Sequence, residues 1–189
     1  MGRQEGIDLL LHAVRVVVLC YARDDVHFGL VGGGTSLEEM RELAHELGVA
    51  EYVTFTGRVP DGELLAMLNT ADVCVNPDRA CQLNDKSTMN KVMEYMALAK
   101  PVVQFDLTEG RRSAGEASLY ARPDDPVDLA AKILDLLDDP LRRECMGRFA
   151  RARIERELEW RHQAPRLLSA YGALWQGAAR GSAARGAQT

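Results

Sequence analysis

Five short apolar segments alternate with helical patterns along this chain, and this alternation restricts the fold more than any other feature. The apolar segments cover residues 26–31, 52–55, 73–75, 101–105 and 118–121. Strands that alternate with helices form a parallel sheet with right-handed crossovers, which is covered by helices on both faces. The sequence therefore predicts an α/β fold with a doubly wound parallel sheet.

Helices are predicted where apolar residues recur at helical spacing. They cover residues 6–21, 36–47, 61–69, 88–99, 126–137, 140–158 and 161–175. Ser36 and Glu39 have the spacing of a capping box at the start of the second helix. We expect one domain over residues 1–176, which includes the C-terminal helices 140–176, followed by a disordered tail over the low-complexity residues 177–189.

The chain opens with a helix and has no strand before it. A doubly wound domain begins with a strand, so the first strand of the sheet is missing from this sequence. We therefore expect the polypeptide to be a fragment, cut on its N-terminal side. A missing strand predicts an open sheet edge and exposed apolar surface.

Composition excludes several classes of function. The net charge of −5 over 189 residues predicts no general affinity for nucleic acid or for anionic membranes. The cysteines and histidines lack the spacing of metal ligands, so no metal site is expected. The longest apolar run, residues 14–21, is too short to span a membrane, and no signal peptide is visible. A cytoplasmic location is the expectation.

The segment from Asn84 to Phe105 carries the clearest chemical signal, because a polar loop runs into a helix that stops before an apolar strand. A helix start exposes unpaired N–H groups and therefore attracts phosphate. A carboxylate one turn deeper, at Glu94, has the chemistry to accept hydrogen bonds from ribose hydroxyls. The residues that we expect to contact a nucleotide here are Lys86, Ser87, Thr88, Lys91 and Glu94.

Two further groups have more than one interpretation. The glycines at 32–34 form either a simple tight turn or a turn beside a ligand cleft, because they lack the spacing of a phosphate loop. Arg111 and Arg112 either bind phosphate or hold neighbouring acidic residues such as Glu109 and Glu116. Asp106, at the end of the predicted strand 101–105, has the same two interpretations: it either contacts a ligand or holds a neighbouring residue.

Several motifs in order resemble the C-terminal half of family-4 glycosyltransferases with the GT-B fold, over roughly residues 2–175. They read VHFGLVGGG, LGVAEYVTFTGRVP, LLAMLNTADVCVNP and MEYMALAKPVV. The similarity is greatest to bacterial members that build surface polysaccharides. It implies a Rossmann-like domain that binds a nucleoside-diphosphate sugar and takes part in a retaining transfer, with no cofactor and no obligatory metal. The acceptor site would lie mostly on an N-terminal domain, absent here or supplied by a partner chain, through which alone membrane association is expected.

The resemblance also implies roles for individual residues. The family motif has two glutamates separated by seven residues; the second matches Glu94, whereas the first falls at Lys86. Arg3 matches an arginine that holds the diphosphate, and Glu5 stands where the family has a lysine. The turn that contains Arg58 and Val59 resembles the one that reads the base. The complete set of expected donor contacts is Glu94, Lys86, Ser87, Thr88, Lys91, Arg58, Val59, Gly33 and Arg3.

The leading hypothesis is therefore the donor-binding half of a retaining glycosyltransferase in cell-surface polysaccharide synthesis. No general base is recognisable, so no catalytic residue is named and the chain alone is expected to transfer little or no sugar. The alternative is a non-catalytic nucleotide-binding module or a truncated remnant, which the basic residue at position 86 and the missing strand favour. A sugar-nucleotide epimerase shares the architecture, but no motif supports it.

Overall fold

Five strands form at the five predicted places. The computed structural model describes residues 1–186, with side chains described through Trp175. The strands are β1 Phe28–Val31, β2 Val53–Gly57, β3 Cys74–Asn76, β4 Val102–Phe105 and β5 Ser118–Ala121. Each predicted strand lies within two residues of its observed bounds.

Eight α-helices in the described residues surround these strands. They are α1 Ile7–Arg15, α2 Leu37–Glu46, α3 Asp61–Thr70, α4 Asn90–Ala97, α5 Thr108–Ala114, α6 Pro126–Leu137, α7 Pro140–Arg153 and α8 Trp160–Gly186. Two π-helical segments, Val16–Cys20 and Ile154–Leu158, follow α1 and α7. The helix α5 lies in a segment that the sequence indicated as a polar loop.

The strands form two parallel sheets, with the orders β1-β2 and β3-β4-β5. Phe28 pairs with Val53 in the first sheet, and Val102 pairs with both Cys74 and Ser118 in the second. The predicted α/β class with parallel strands is therefore confirmed. The predicted continuous sheet is divided instead, because β1 and β3 each pair along one side only in the described chain.

One hydrophobic core nevertheless serves both sheets. It includes Leu30 of β1, Val103 and Phe105 of β4, and side chains of α1 and α6 that are fully buried, such as Leu11 and Leu129. Each such side chain stabilises the fold by about 1.5–3 kcal/mol through removal of apolar surface from water. The shared core fixes the two sheets within one compact unit.

Helix starts were predicted with unequal success. At α6 the predicted bounds are correct, because Asp125 accepts hydrogen bonds from the amides of Val127 (2.9 Å) and Asp128 (3.0 Å), and Pro126 occupies the first turn. The predicted capping box at α2 is wrong: the side chain of Ser36 makes no capping bond, and its backbone amide donates to Met1 O at 3.2 Å.

The chain divides into two compact units, Met1–Arg151 and a second that begins at Ala152. The sequence analysis predicted a single domain over residues 1–176; of its last helices, α7 lies almost entirely in the first unit and α8 lies in the second. The backbone through Gly186 continues α8, where a disordered tail over 177–189 was predicted; alanine-rich sequence favours helix here. Residues 187–189 of that tail lie outside the described residues. In the part of the chain that the structure describes, no helix has the length and apolar character needed to cross a membrane.

Candidate functional site

The turns after β1 and β2 meet at the carboxyl edge of the first sheet. The amide of Gly32 donates to Gly57 O at 2.8 Å, and both glycines have positive φ. A Cβ added to Gly33 would lie 3.8 Å from the Cγ atom of Arg58, so these two predicted donor residues are neighbours. Arg58 is exposed and Val59 is half-buried.

The first residues of the chain connect this edge to the second sheet. The Met1 amino group contacts Gly33 O, and any side chain at Gly34 would overlap the Met1 backbone. Three residues on, Gln4 O accepts hydrogen bonds from the Arg79 amide (3.0 Å) and the Asn84 side chain (2.9 Å). The carboxyl edges of both sheets therefore open on the same side of the molecule, where ligands of parallel sheets bind.

Arg3 lies in this connecting segment. Its side chain is exposed, and its carbonyl oxygen accepts a hydrogen bond of 3.2 Å from Arg79 Nε. Glu5, which stands where the resemblance implies a lysine, accepts a hydrogen bond of 2.9 Å from the Gly2 amide.

The loop that precedes α4 is held against α5. Asp85 accepts hydrogen bonds from the amide (2.7 Å) and the hydroxyl (3.1 Å) of Thr108. The hydroxyl of Thr88 donates to Glu109 Oε1 at 2.7 Å. Neither hydroxyl caps α4, because that of Thr88 is used by Glu109 and that of Ser87 donates to Leu83 O (2.7 Å).

The helix α4 begins at Asn90, two residues later than predicted. Met89 precedes it and provides no side-chain cap, so the helix start is not closed by a side chain of its own. Lys91 lies in the first turn, and Glu94 follows three residues later on the same face of the helix. Glu94 and Lys86 are both exposed to solvent. Neither side chain points into the interior.

Lys91 has a partner that the sequence did not suggest. Its Nζ atom lies 2.8 Å from Asp78 Oδ1, and the Asp78 side chain is only 2% exposed. Burial raises the pKa of Asp78, while the charge of Lys91 opposes that rise. Asn76 and Gln104 lie beside this pair at the ends of β3 and β4, joined by a long hydrogen bond of 3.4 Å.

This buried polar cluster was missed, although a signal was present. Asn76, Asp78 and Gln104 are all almost fully buried. One side-chain oxygen of Asn76 and one of Asp78 lack a hydrogen-bond partner among the described residues. Such acceptors are costly when unpaired. Polar residues directly after a buried strand, and a glutamine inside one, are the sequence pattern that indicates them.

The arginines of α5 resolve one open alternative. Arg111 forms two hydrogen bonds to Asp106, of 2.7 and 2.6 Å, and its guanidinium lies 4.2 Å from the centre of the Tyr120 ring. Asp106 thereby has a lowered pKa, chiefly through the Arg111 hydrogen bonds. Arg112 lies 3.9 Å from Glu109. The arginines hold acidic neighbours, as the second interpretation of this pair supposed.

A cavity of about 820 Å³ lies beside this edge, between the first residues of the chain and α2. Of the nine predicted donor residues, Arg3 alone lines it. The other eight predicted residues lie outside the walls of this cavity. Among the described side chains, no cluster of three or more candidate metal ligands occurs. The buried Cys74 thiol is protonated at neutral pH, because burial raises its pKa to about 12.

Comparison with known proteins places this geometry in a family. Residues 1–139 match the family model of glycosyl transferases group 1. The chain is 32% identical over 174 residues to a GDP-mannose-dependent alpha-(1-6)-phosphatidylinositol monomannoside mannosyltransferase of Mycolicibacterium smegmatis. A related mannosyltransferase of Corynebacterium glutamicum is 29% identical over 167 residues. The match covers 87% of this chain in both cases but only 44% and 43% of the relatives, so the chain spans less than half of their length.

Solved structures agree on the fold. Sucrose-phosphate synthase from Thermosynechococcus elongatus superposes with a TM-score of 0.79 at 24% identity, over 93% of this chain and 44% of the other. HepE of Anabaena, solved with UDP and glucose, gives a TM-score of 0.76 at 18% identity, over 90% of this chain and 46% of the other. The fold is that of GT-B glycosyltransferases, with a Rossmann-like arrangement of two sheets. The chain belongs to the group 1 family of glycosyl transferases.

Proposed function

We propose that this chain is the donor-binding half of a retaining glycosyltransferase, and that it holds a nucleoside-diphosphate sugar at the shared carboxyl edge of its sheets. The observation that carries the proposal is the start of α4, which has no side-chain cap and presents Lys91 and Glu94 on one face. Free amides and an ammonium suit a diphosphate, and a carboxylate one turn further suits ribose hydroxyls.

Other predicted residues complete the site in this proposal. Arg58 and Val59 lie at the edge of the first sheet beside Gly33, where a base would rest, and Arg3 and Lys86 add exposed positive charge. The leaving diphosphate gains negative charge as the glycosidic bond breaks, so fixed cations nearby favour transfer. These cations supply the charge that a metal would otherwise bring, and we propose binding without one. Addition of a chelator is expected to leave nucleotide affinity unchanged.

Calorimetric titration of the purified chain with UDP and GDP tests the proposal. Glu94→Ala is expected to weaken binding by about tenfold or more, because a hydrogen-bonded charged group contributes about 1.5–3 kcal/mol. Glu63→Ala, which removes an exposed carboxylate from α3, is the matched control and should bind normally. Equal affinity of the Glu94→Ala variant and the wild type would refute the ribose role.

We further propose that an acceptor domain outside these residues completes the enzyme. The expected product of the complete enzyme is a surface polysaccharide or a glycolipid. The named relatives are more than twice as long as the matched region. The chain alone should therefore show little transfer from a labelled sugar nucleotide, and full turnover would contradict this. The rival function is a nucleotide-binding module or a remnant without transfer activity. The lysine at position 86, where the family motif has a glutamate, favours it. Absence of all nucleotide binding would favour the remnant.

A further inference from the structure

The ion pair between Lys91 and Asp78 is built from two rigid elements. Asp78 follows the last residue of β3 by two positions, and Lys91 occupies the first turn of α4. The Nζ–Oδ1 distance is 2.8 Å, and the Lys91 side chain remains 31% exposed while Asp78 is buried. The buried carboxylate therefore fixes the place of an ammonium that solvent still reaches.

This arrangement contributes little to stability. A buried carboxylate loses its hydration, and the attraction of one ammonium seldom offsets that loss. Burial raises the pKa of Asp78, and its Oδ2 atom has no hydrogen-bond partner among the described residues. A neutral side chain of the same shape would be tolerated at least as well. Stability of the fold therefore does not explain why this ion pair is present.

The geometry suits a role in ligand binding. A lysine ammonium has three N–H donors, and Asp78 engages one of them, so two remain for ligand oxygens. A lysine that is already held loses less side-chain entropy when a ligand binds than a free one does. The pair also lies at the carboxyl end of β3, where ligands of parallel sheets bind.

We propose that Asp78 is a positioning residue of the nucleotide-sugar site: through its ion pair it holds the Lys91 ammonium where the donor diphosphate binds. This inference rests on the proposed function. Asp78 touches no substrate in this proposal and acts only through Lys91. Asn76, on the last position of β3, lies beside the pair and favours the ionised form of Asp78.

The charged and titratable groups that face Asp78 come from two elements. Lys91 and Tyr95 belong to α4, and Glu5 belongs to the short helical segment Arg3–Glu5. Glu5 opposes ionisation of Asp78, whereas Lys91 favours it. Because positioning requires the ionised carboxylate, affinity should fall as acidification protonates Asp78. Its pKa lies above the ordinary 3.8, chiefly because of burial, so the loss should begin at a higher pH than it would for an exposed carboxylate.

Calorimetric titrations with UDP and GDP, on the full chain and three variants, test the inference. Asp78→Asn should weaken binding by about fivefold and Lys91→Met by about tenfold. The double variant should bind no more weakly than Lys91→Met, because Asp78 has nothing to position once the ammonium is gone. The affinity of Asp78→Asn should show a smaller acid-dependent loss than that of the wild type, because only protonation of the terminal phosphate of the nucleotide remains. Two control variants should bind like the wild type. Lys100→Met removes a hydrogen bond to Asn69 O, and Asp138→Asn removes an ion pair with Arg23.

If Asp78 only stabilised the fold, Asp78→Asn would unfold at a lower urea concentration than the wild type. The inference predicts otherwise. Asp78→Asn should unfold at a urea concentration no lower than the wild type does, although it binds more weakly. If that variant nevertheless fails to fold, the pH series on the wild type still decides: an affinity that does not fall on acidification refutes the inference. Unchanged or tighter binding by folded Asp78→Asn also refutes it and leaves the proposed function intact. Failure of the folded wild type to bind either nucleotide refutes both.

Discussion

Thr88 Oγ1 donates a hydrogen bond of 2.7 Å to Glu109 Oε1, which ties the loop before α4 to the first turn of α5. The same carboxylate oxygen accepts a second hydrogen bond, of 3.1 Å, from the Ser113 hydroxyl. Glu109 therefore joins the loop before α4 to α5, near the proposed site. The loop that carries Lys86 is held on its C-terminal side by this contact.

Loss of the Thr88 hydroxyl should loosen this attachment. We expect Thr88→Val to lower the free energy of unfolding by about 0.5–1.5 kcal/mol, the usual contribution of one hydrogen bond. Urea denaturation followed by circular dichroism measures the change. Thr35→Val, at an exposed turn after β1, is the control and should unfold like the wild type. A Thr88→Val midpoint equal to that of the wild type would show that the bond adds no stability.

Asp85 should make stability depend on acid pH. Its pKa is lowered, first by the hydrogen bond from the Thr108 amide and then by that from the Thr108 hydroxyl. A carboxylate with a lowered pKa in the folded state stabilises the fold above its unfolded pKa, and this contribution is lost as the pH falls through the folded value. The loss should therefore occur below pH 3.8.

Thermal melts of Asp85→Asn and the wild type across this range test the prediction. The variant should melt at a lower temperature at neutral pH, and the two curves should converge as the acid protonates Asp85 in the wild type. A constant difference in melting temperature at every pH would rule out this carboxylate as the cause.

The sequence predicted local structure well where the determinants are local. Runs such as Val102–Phe105 carry apolar residues on both faces, with Gln104 as the one polar exception, so their strand identity needs no knowledge of the rest of the fold. The start of α6 was found because Asp125 and Pro126 act within one turn. Ser36 misled for the opposite reason: its backbone amide donates to the distant Met1 O, so that amide is not available to Glu39 for a capping box.

The candidate site was predicted in outline but not in its pairings. Lys91 and Glu94 were correctly placed near the start of one helix. The partner of Lys91 is Asp78, which lies thirteen positions earlier and beyond an irregular loop. The course of that loop depends on contacts such as Asn84 with Gln4, eighty positions apart. Such pairings depend on tertiary structure, and periodicity carries no information about them.

Arg111 should not contribute to nucleotide affinity. Its guanidinium donates two hydrogen bonds to Asp106 and stacks on Tyr120, so the neighbouring carboxylate already offsets the charge that a diphosphate would attract. We expect Arg111→Met to leave the dissociation constants for UDP and GDP unchanged. The free energy of unfolding should fall by about 0.5–1.5 kcal/mol, because an exposed ion pair and a cation–π contact are both lost. A tenfold weaker affinity in a calorimetric titration would instead identify Arg111 as a ligand contact.

The helix α8 carries an exposed apolar stripe. At 100° per residue, six large apolar side chains fall on one face, whereas Arg161, Arg166 and Ser169 lie outside it. All six side chains are exposed: Trp160, Leu167, Leu168, Tyr171, Leu174 and Trp175. Since each aromatic side chain alone can bury about 150–250 Å², the stripe approaches the area that one partner gives to a stable interface.

Such a surface favours association, so we expect the purified chain to form dimers through this stripe as its concentration rises. Leu168→Glu should shift the mass measured by light scattering toward the monomer, because a charge would have to be buried in the contact. Arg166→Glu changes the charge of the same helix outside the stripe and should associate as the wild type does. A wild type that stays monomeric at every concentration, or a Leu168→Glu variant that associates equally, would contradict a role for this face.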